Sequence, residues 1–177
     1  MNKEKLIENF KTHETGKLFP LCADFCLTDD DFRQISEICH QPSVYELFKE
    51  RLQGKEYTIS DAKGFYDWAN SGWNEDKFFV FLIRDSNGKI CCAVDIKSNN
   101  LDGAEIGYWA SEDSPGFITN AVEKLCEFGK EKGFKMLYGL TVPQNLKSQN
   151  VLMRAGFKNC GKVQEKKEYF RFEKVLS

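Results

Sequence analysis

A chain of 177 residues is long enough for one domain with a full core, and 41% hydrophobic with 29% charged residues is a globular rather than a disordered composition. A formal charge of −2 gives no general attraction to nucleic acid or to an anionic membrane, and no apolar run approaches the roughly 20 residues of a membrane span. The seven cysteines form no C-x-x-C pair and the first residues lack the apolar core of a signal peptide, which reads as a cytoplasmic protein with reduced thiols and no metal site.

Residues 1–16 are polar with a weak helical pattern and read as a loosely ordered start to a single domain spanning 1–177. Residues 17–27 carry Leu18, Phe19, Leu21, Phe25 and Leu27 and predict a first strand. Thr28 before three aspartates signals a helix start with Thr28 as cap, and Phe32, Ile35, Ile38 and Cys39 then recur at helical spacing. A second helix is expected from Pro42 to about Gly54, with Val44, Leu47, Phe48 and Leu52 on one face. A third starts at Ser60 and carries Phe65, Trp68 and Ala69. Strands 77–84 and 89–97 flank Asn87-Gly88, whose residues accept the positive φ of a hairpin turn. Cys91 and Cys92, adjacent on a strand, are expected to face opposite sides.

The order then becomes strand 104–109, helix 115–132 stopped by Gly133, strand 134–142, helix 145–155, and strands 157–163 and 167–174. A meander followed by strand–helix–strand order implies an α/β (α+β) domain. Its sheet would be mixed, mostly antiparallel and twisted, with six to seven strands and helices on both faces.

Two stretches carry chemistry. The first is Glu105-Ile-Gly-Tyr-Trp109, where Gly107 interrupts a strand of large residues and marks a bulge or a close backbone approach. The second places Asn145 and Ser148 at a helix start, followed by Val151, Leu152, Arg154, Gly156 and Phe157. Walker A and Rossmann glycine motifs are absent from the sequence.

Together these stretches resemble the GNAT superfamily of N-acetyltransferases, in its ribosomal-protein N-terminal acetyltransferase-like branch. The resemblance is specific over residues 78–165 and one of layout before them. It implies a cofactor, acetyl-CoA, and an acceptor that is a small-molecule or peptide amine. It does not fix the oligomeric state, for which a homodimer stays open. It also implies splayed central strands, with the cofactor arm lying between residues 106–109 and 140–142. Ile106, Tyr108, Trp109 and Val142 would meet that arm, and N–H groups near Tyr108 and Trp109 would face the reacting acyl oxygen. Ser114, Gly116, Phe117 and Ile118 would meet the pyrophosphate at the start of the long helix. Asn145 would approach the cofactor arm, and Ser148 would protonate the leaving thiolate. Glu105 would be the base, with Tyr108 as an alternative.

Plainer readings stand beside these. Gly107 can be a packing glycine, Asn145 a helix cap, and Glu105 the partner of a lysine such as Lys97. Where the family has two glycines on the phosphate loop, this chain has Ser111-Glu-Asp-Ser-Pro-Gly116, with two acids and a proline that lacks an N–H. That loop reads equally as a helix start capped by Ser114 with Pro115 in first position. The competing function is therefore a GNAT-fold binding or regulatory protein with weakened or lost acetyl-CoA binding. Among the aromatics of 57–73, Tyr66 and Trp73 are the candidates to touch an acceptor.

Overall fold

The computed structural model describes residues 4–163 and 168–176. One sheet runs β1-β2-β3-β4-β5-β6-β8-β7, one strand more than the upper count expected. The strands are β1 (Lys5–Glu8), β2 (Thr15–Pro20), β3 (Phe79–Arg84), β4 (Ile90–Ile96), β5 (Ala104–Ala110), β6 (Met136–Thr141), β7 (Lys158–Lys162) and β8 (Phe170–Val175). Neighbours are antiparallel except β5 and β6, which are parallel and joined through a helix. The expected start of the last strand, Lys167, lies outside the described residues.

The extra strand is β1, in the segment that reads as weakly helical. Only Ile7 of its four residues is buried, so the alternation is too short to register against a polar background. The strand expected over 17–27 stops at Pro20, where the chain turns away.

Six helices are found among the described residues: α1 (Asp29–His40), α2 (Pro42–Tyr45), α3 (Lys49–Leu52), α4 (Ile59–Asn74), α5 (Ile118–Lys132) and α6 (Leu146–Arg154). Thr28 caps α1 as expected. Its hydroxyl accepts from Asp31 N–H at 3.2 Å while the Asp31 carboxylate accepts from Thr28 N–H at 2.8 Å. The same carboxylate takes both Arg84 amino groups, at 2.6 and 3.0 Å, which ties the helix start to β3. Burial opposes the charge on Asp31, but Arg84 and Thr28 together hold its carboxyl below the usual range. The helix expected from Pro42 to Gly54 is two single turns, α2 and α3. α4 begins one residue early because Thr58 and Asp61 form a second capping box.

Each sheet face covers a separate core. On one, α5 and α6 pack over Phe79, Phe81, Ile83, Val94, Ile96 and Ile106. On the other, α1 and α4 pack over Val80, Leu82, Ala93 and Trp109. A bulge at Ile83/Arg84 breaks the two-residue alternation, so Cys91 and Cys92 join the same core instead of opposite ones. All seven cysteines are free. Trp73 donates its indole N–H to Val80 O at 2.8 Å and its ring packs between Phe79, Phe81 and Phe128. Tyr66 meets Phe32 edge-on. Both rings are thus engaged in packing.

Candidate functional site

β5 and β6 pair only at Ala104↔Leu137 and Glu105↔Tyr138. Beyond these pairs β6 stays with β8 as far as Thr141↔Phe170, and β5 stays with β4 as far as Cys92↔Ala110. A gap therefore opens between them where the strands were expected to splay. Lys97 N–H bonds Glu105 O, and Ser111 N–H bonds Cys91 O, so the odd residues of β5 turn their backbone towards β4. Alternation leaves the N–H and C=O groups of Ile106, Tyr108 and Ala110 facing the gap. Trp109 does not fit its expected place there. Its backbone belongs to the β4 ladder and its ring packs against Phe65 on the far face, 6.3 Å between centroids.

The helix start α6 closes one side of the gap. Asn145 caps it, its side-chain oxygen accepting from Ser148 N–H at 3.0 Å. This holds the Ser148 hydroxyl 2.6 Å from the Tyr108 hydroxyl, either oxygen able to donate, with Ser148 O at 3.2 Å as the other acceptor open to the phenol proton. Gly139 lets α6 seat on β6, since a Cβ there would stand 2.9 Å from Leu152 Cδ2. Burial pushes the Tyr108 phenol up to about 12, although the Ser148 hydrogen bond and Arg154 pull the other way. Tyr108 therefore keeps its proton at neutral pH. Val142 carbonyl is occupied by Asn145 N–H at 3.0 Å and Gln149 Nε2 at 3.3 Å, so it is not free for a ligand.

The loop before α5 is tied elsewhere. Glu112 accepts from Ser43 N–H at 3.0 Å, Asp113 accepts from Gln41 Nε2 at 2.8 Å, and Glu112 N–H donates to Gln41 Oε1 at 2.7 Å. The α5 cap is Phe117, without a side-chain cap bond, and not Ser114. Gly116 has φ +127°, and a Cβ there would collide with Asn9 Oδ1 at 2.0 Å. Phe10 N–H donates to Gly116 O at 3.0 Å, and Asn9 Nδ2 donates to Pro115 O at 3.3 Å. The Phe117 and Ile118 side chains are buried, so only their backbone N–H groups can serve a ligand. Arg154 lies at the same helix start, its Nε donating to Thr119 Oγ1 at 3.2 Å.

On the opposite face of β5, Glu105 forms an ion pair with Lys97, the cross-strand arrangement that the sequence left open. A Gly107 Cβ would stand 2.8 Å from Lys97 Cε and 2.9 Å from Asp95 Oδ2. The close approach that Gly107 marks is thus made by two side chains from β4. Asp95 was not singled out from sequence, yet the signal is plain: it is the one charged residue in the apolar run of β4. Its Oδ1 is buried without a hydrogen-bond partner. Burial raises its carboxyl to about 6, opposed by Lys97, reinforced by Glu105 and opposed again by the Gly107 N–H. Gly107→Ala is expected to cost about 1–2 kcal/mol in urea unfolding, the lower part of the overpacking range because Lys97 can swing aside. No change in stability would show that the Asp95 carboxylate moves as freely.

No curated protein matches this chain. Among solved structures, RimJ from Mycobacterium smegmatis, in complex with CoA-disulfide, is 15% identical with a TM-score of 0.74 over 98% of this chain and 88% of that one. The ribosomal-protein-S5-alanine acetyltransferase of Vibrio fischeri is 17% identical with a TM-score of 0.67 over 92% and 93%. The spermidine N-acetyltransferase of Vibrio cholerae, in complex with CoA and spermine, is 14% identical with a TM-score of 0.67 over 90% and 95%. At these identities the likeness establishes the fold. The family description "Acetyltransferase (GNAT) domain" matches residues 26–158, most of the chain, and this protein therefore belongs to the GNAT acetyltransferase family.

Proposed function

We propose that the protein transfers an acetyl group from acetyl-CoA to a primary amine. One observation carries the reading: β5 and β6 part beside a hydroxyl pair, Tyr108 and Ser148, held 2.6 Å apart. The residues present suit the cofactor. The outward backbone groups of Ile106, Tyr108 and Ala110 provide a free strand edge for an amide-bearing arm. The first-turn N–H groups of α5 suit its pyrophosphate. Arg154 is a cation beside the positive end of a helix, a placement that an anion between them would stabilise. When bound, acetyl-CoA supplies a thioester-activated acetyl group.

The chain's own residues do the rest. Ser148 Oγ gives up its proton on the gap side and Tyr108 Oη replaces it. The N–H groups of Tyr108 and Ala110 face the gap as donors to a developing oxyanion. Asn145 keeps Ser148 in place by capping α6. Glu105 sits on the acceptor side and, engaged by Lys97, contributes negative charge there.

The competing binding-protein reading has an observation of its own. Loop 111–116 spends its acids and two of its N–H groups on Gln41, Ser43 and Ser111. A calorimetric titration with acetyl-CoA, followed by a thiol-release assay on a panel of primary amines, separates the two. Saturable binding with amine-dependent CoA release supports transfer, whereas binding without release, or no binding, rejects transfer and supports the alternative.

Because both acids already have partners, Glu112→Gln with Asp113→Asn is expected to change the CoA dissociation constant by no more than about threefold, at a charge separation that salt screens. A large tightening in calorimetry would place the carboxylates against the bound pyrophosphate instead.

A further inference from the structure

The register lays out a small lattice on the α4 side of the sheet. Phe78, Lys97 and Glu105 share one row, Val80, Asp95 and Gly107 the next, and Leu82, Ala93 and Trp109 the third. Asp95 stands in the middle row, and its carboxylate lies against the place where a Gly107 side chain would begin. Since Gly107 has none, a carboxylate rooted on β4 extends across β5, the strand that borders the gap. Four rings run in a chain from one outer row to the other. Phe78 stacks on Trp68 at 4.3 Å, Trp68 on Phe65 at 6.1 Å, and Phe65 meets Trp109 at 6.3 Å. Trp68 is 47% exposed, so this chain of rings is open to solvent.

A buried carboxylate oxygen without a partner is costly, and folded proteins keep few of them. Lys97, the nearest cation, is already engaged by Glu105, and no group among the described residues donates to Oδ1. The missing partner is a cation that brings its own hydrogens. An ammonium group on a short apolar stem meets both demands, because it pairs with a carboxylate and is attracted to ring faces.

We propose that Asp95 is the acceptor-docking carboxylate: it binds the ammonium of an unhindered primary amine beside Gly107, with Trp68 and Phe65 against the amine's apolar stem, and takes up the proton that the nitrogen loses. This rests on the acetyl-transfer reading and narrows its acceptor to cationic primary amines that carry no carboxylate beside the nitrogen. The ammonium loses a proton to bulk solvent before attack. The nitrogen then forms the C–N bond, the C–S bond breaks, the second nitrogen proton passes to Asp95, and the sulfur is protonated from Ser148.

The test uses n-butylammonium as probe and n-butanol as its uncharged control, with the CoA-free protein. Gly107 amide shifts and tryptophan fluorescence are followed in wild type and in Asp95→Asn. Wild type should show saturable changes with the amine and none with the alcohol. Asp95→Asn should bind the amine about tenfold or more weakly, the scale of a hydrogen bond to a charged group, while binding CoA as wild type does. Equal amine affinity in both proteins, or a Gly107 amide that does not move, overturns the assignment. Should the variant fail to fold, carbon-13 observation of the Asp95 carboxyl in wild type serves instead. Its titration midpoint must fall on saturation with n-butylammonium, and an unmoved midpoint rejects the proposal. If the amine binds as described and no acetyl transfer to it occurs, the transfer reading fails while the Asp95 site stands.

Discussion

Tyr108→Phe should lower turnover about 10²-fold, the scale of a positioned proton donor, with little change in cofactor affinity. The phenol lies 2.6 Å from Ser148 Oγ, and burial holds it up to about 12, so across pH 6–9 it carries its proton and can only give one. Without it, Ser148 has nothing to restore its proton after each turnover. The ring itself packs against the α5-side core, and Phe keeps that packing, so the melting temperature should fall by only a few degrees for one lost hydrogen bond. Ser148→Ala should cost a comparable factor, and the double variant little more than either, because the two hydroxyls act as one relay. The discriminating measurement is kcat with a pre-steady-state burst of CoA release. If kcat is unaffected while KM for the amine rises, Tyr108 contributes to binding and the relay is wrong.

The elements that carry this chemistry were legible for a definite reason. Helix and strand periods over residues 77–157 are long, and Thr28, Gly88, Gly133 and Asn145 mark starts and stops whose side chains or φ values do what their chemistry predicts. Tyr108 and Ser148 were both singled out, but not that they touch, since that contact depends on where α6 sits relative to β5 across the gap. Glu105 showed only its charge. Whether it stays free depends on Lys97, one strand over and in register, and register is not visible along a single chain. Asp95 escaped notice for a related reason. It looks like an isolated surface position in an otherwise apolar strand until Gly107 is placed beside it. The loop 111–116 was read through the family's phosphate glycines, whereas its acids answer to Gln41 and Ser43, about 70 residues earlier in the chain.

Asp95→Asn should make the protein more stable at neutral pH. The folded protein holds the Asp95 proton more tightly than the unfolded chain, with the carboxyl raised from 3.8 to about 6. Above pH 6 both states are ionised and the folded state bears the full cost of an underpaired buried charge. Between pH 6 and pH 4 the folded state takes up the proton first and the cost declines. Below about pH 4 both states are protonated and it is gone. Raising the carboxyl from 3.8 to about 6 corresponds to about 3 kcal/mol. That is an upper bound, because the amide in the variant must still bury polar atoms of its own. Lys97 and Glu105 are the charged groups that face this carboxylate. Val80, its register partner on β3, brings no charge, so the difference between variant and wild type over pH 4 to 6 belongs mainly to Asp95. Calorimetric melting at pH 4, 5, 6 and 7.5 should show Asp95→Asn several degrees above wild type at pH 7.5, with the difference closing towards pH 4. A variant less stable than wild type at pH 7.5 would mean that the carboxylate has a stabilising partner in the folded protein, and its presence would then need no ligand to explain it. A more stable variant that has lost its hold on the amine would show a residue retained against the interest of the fold, as expected of a group kept for what it binds.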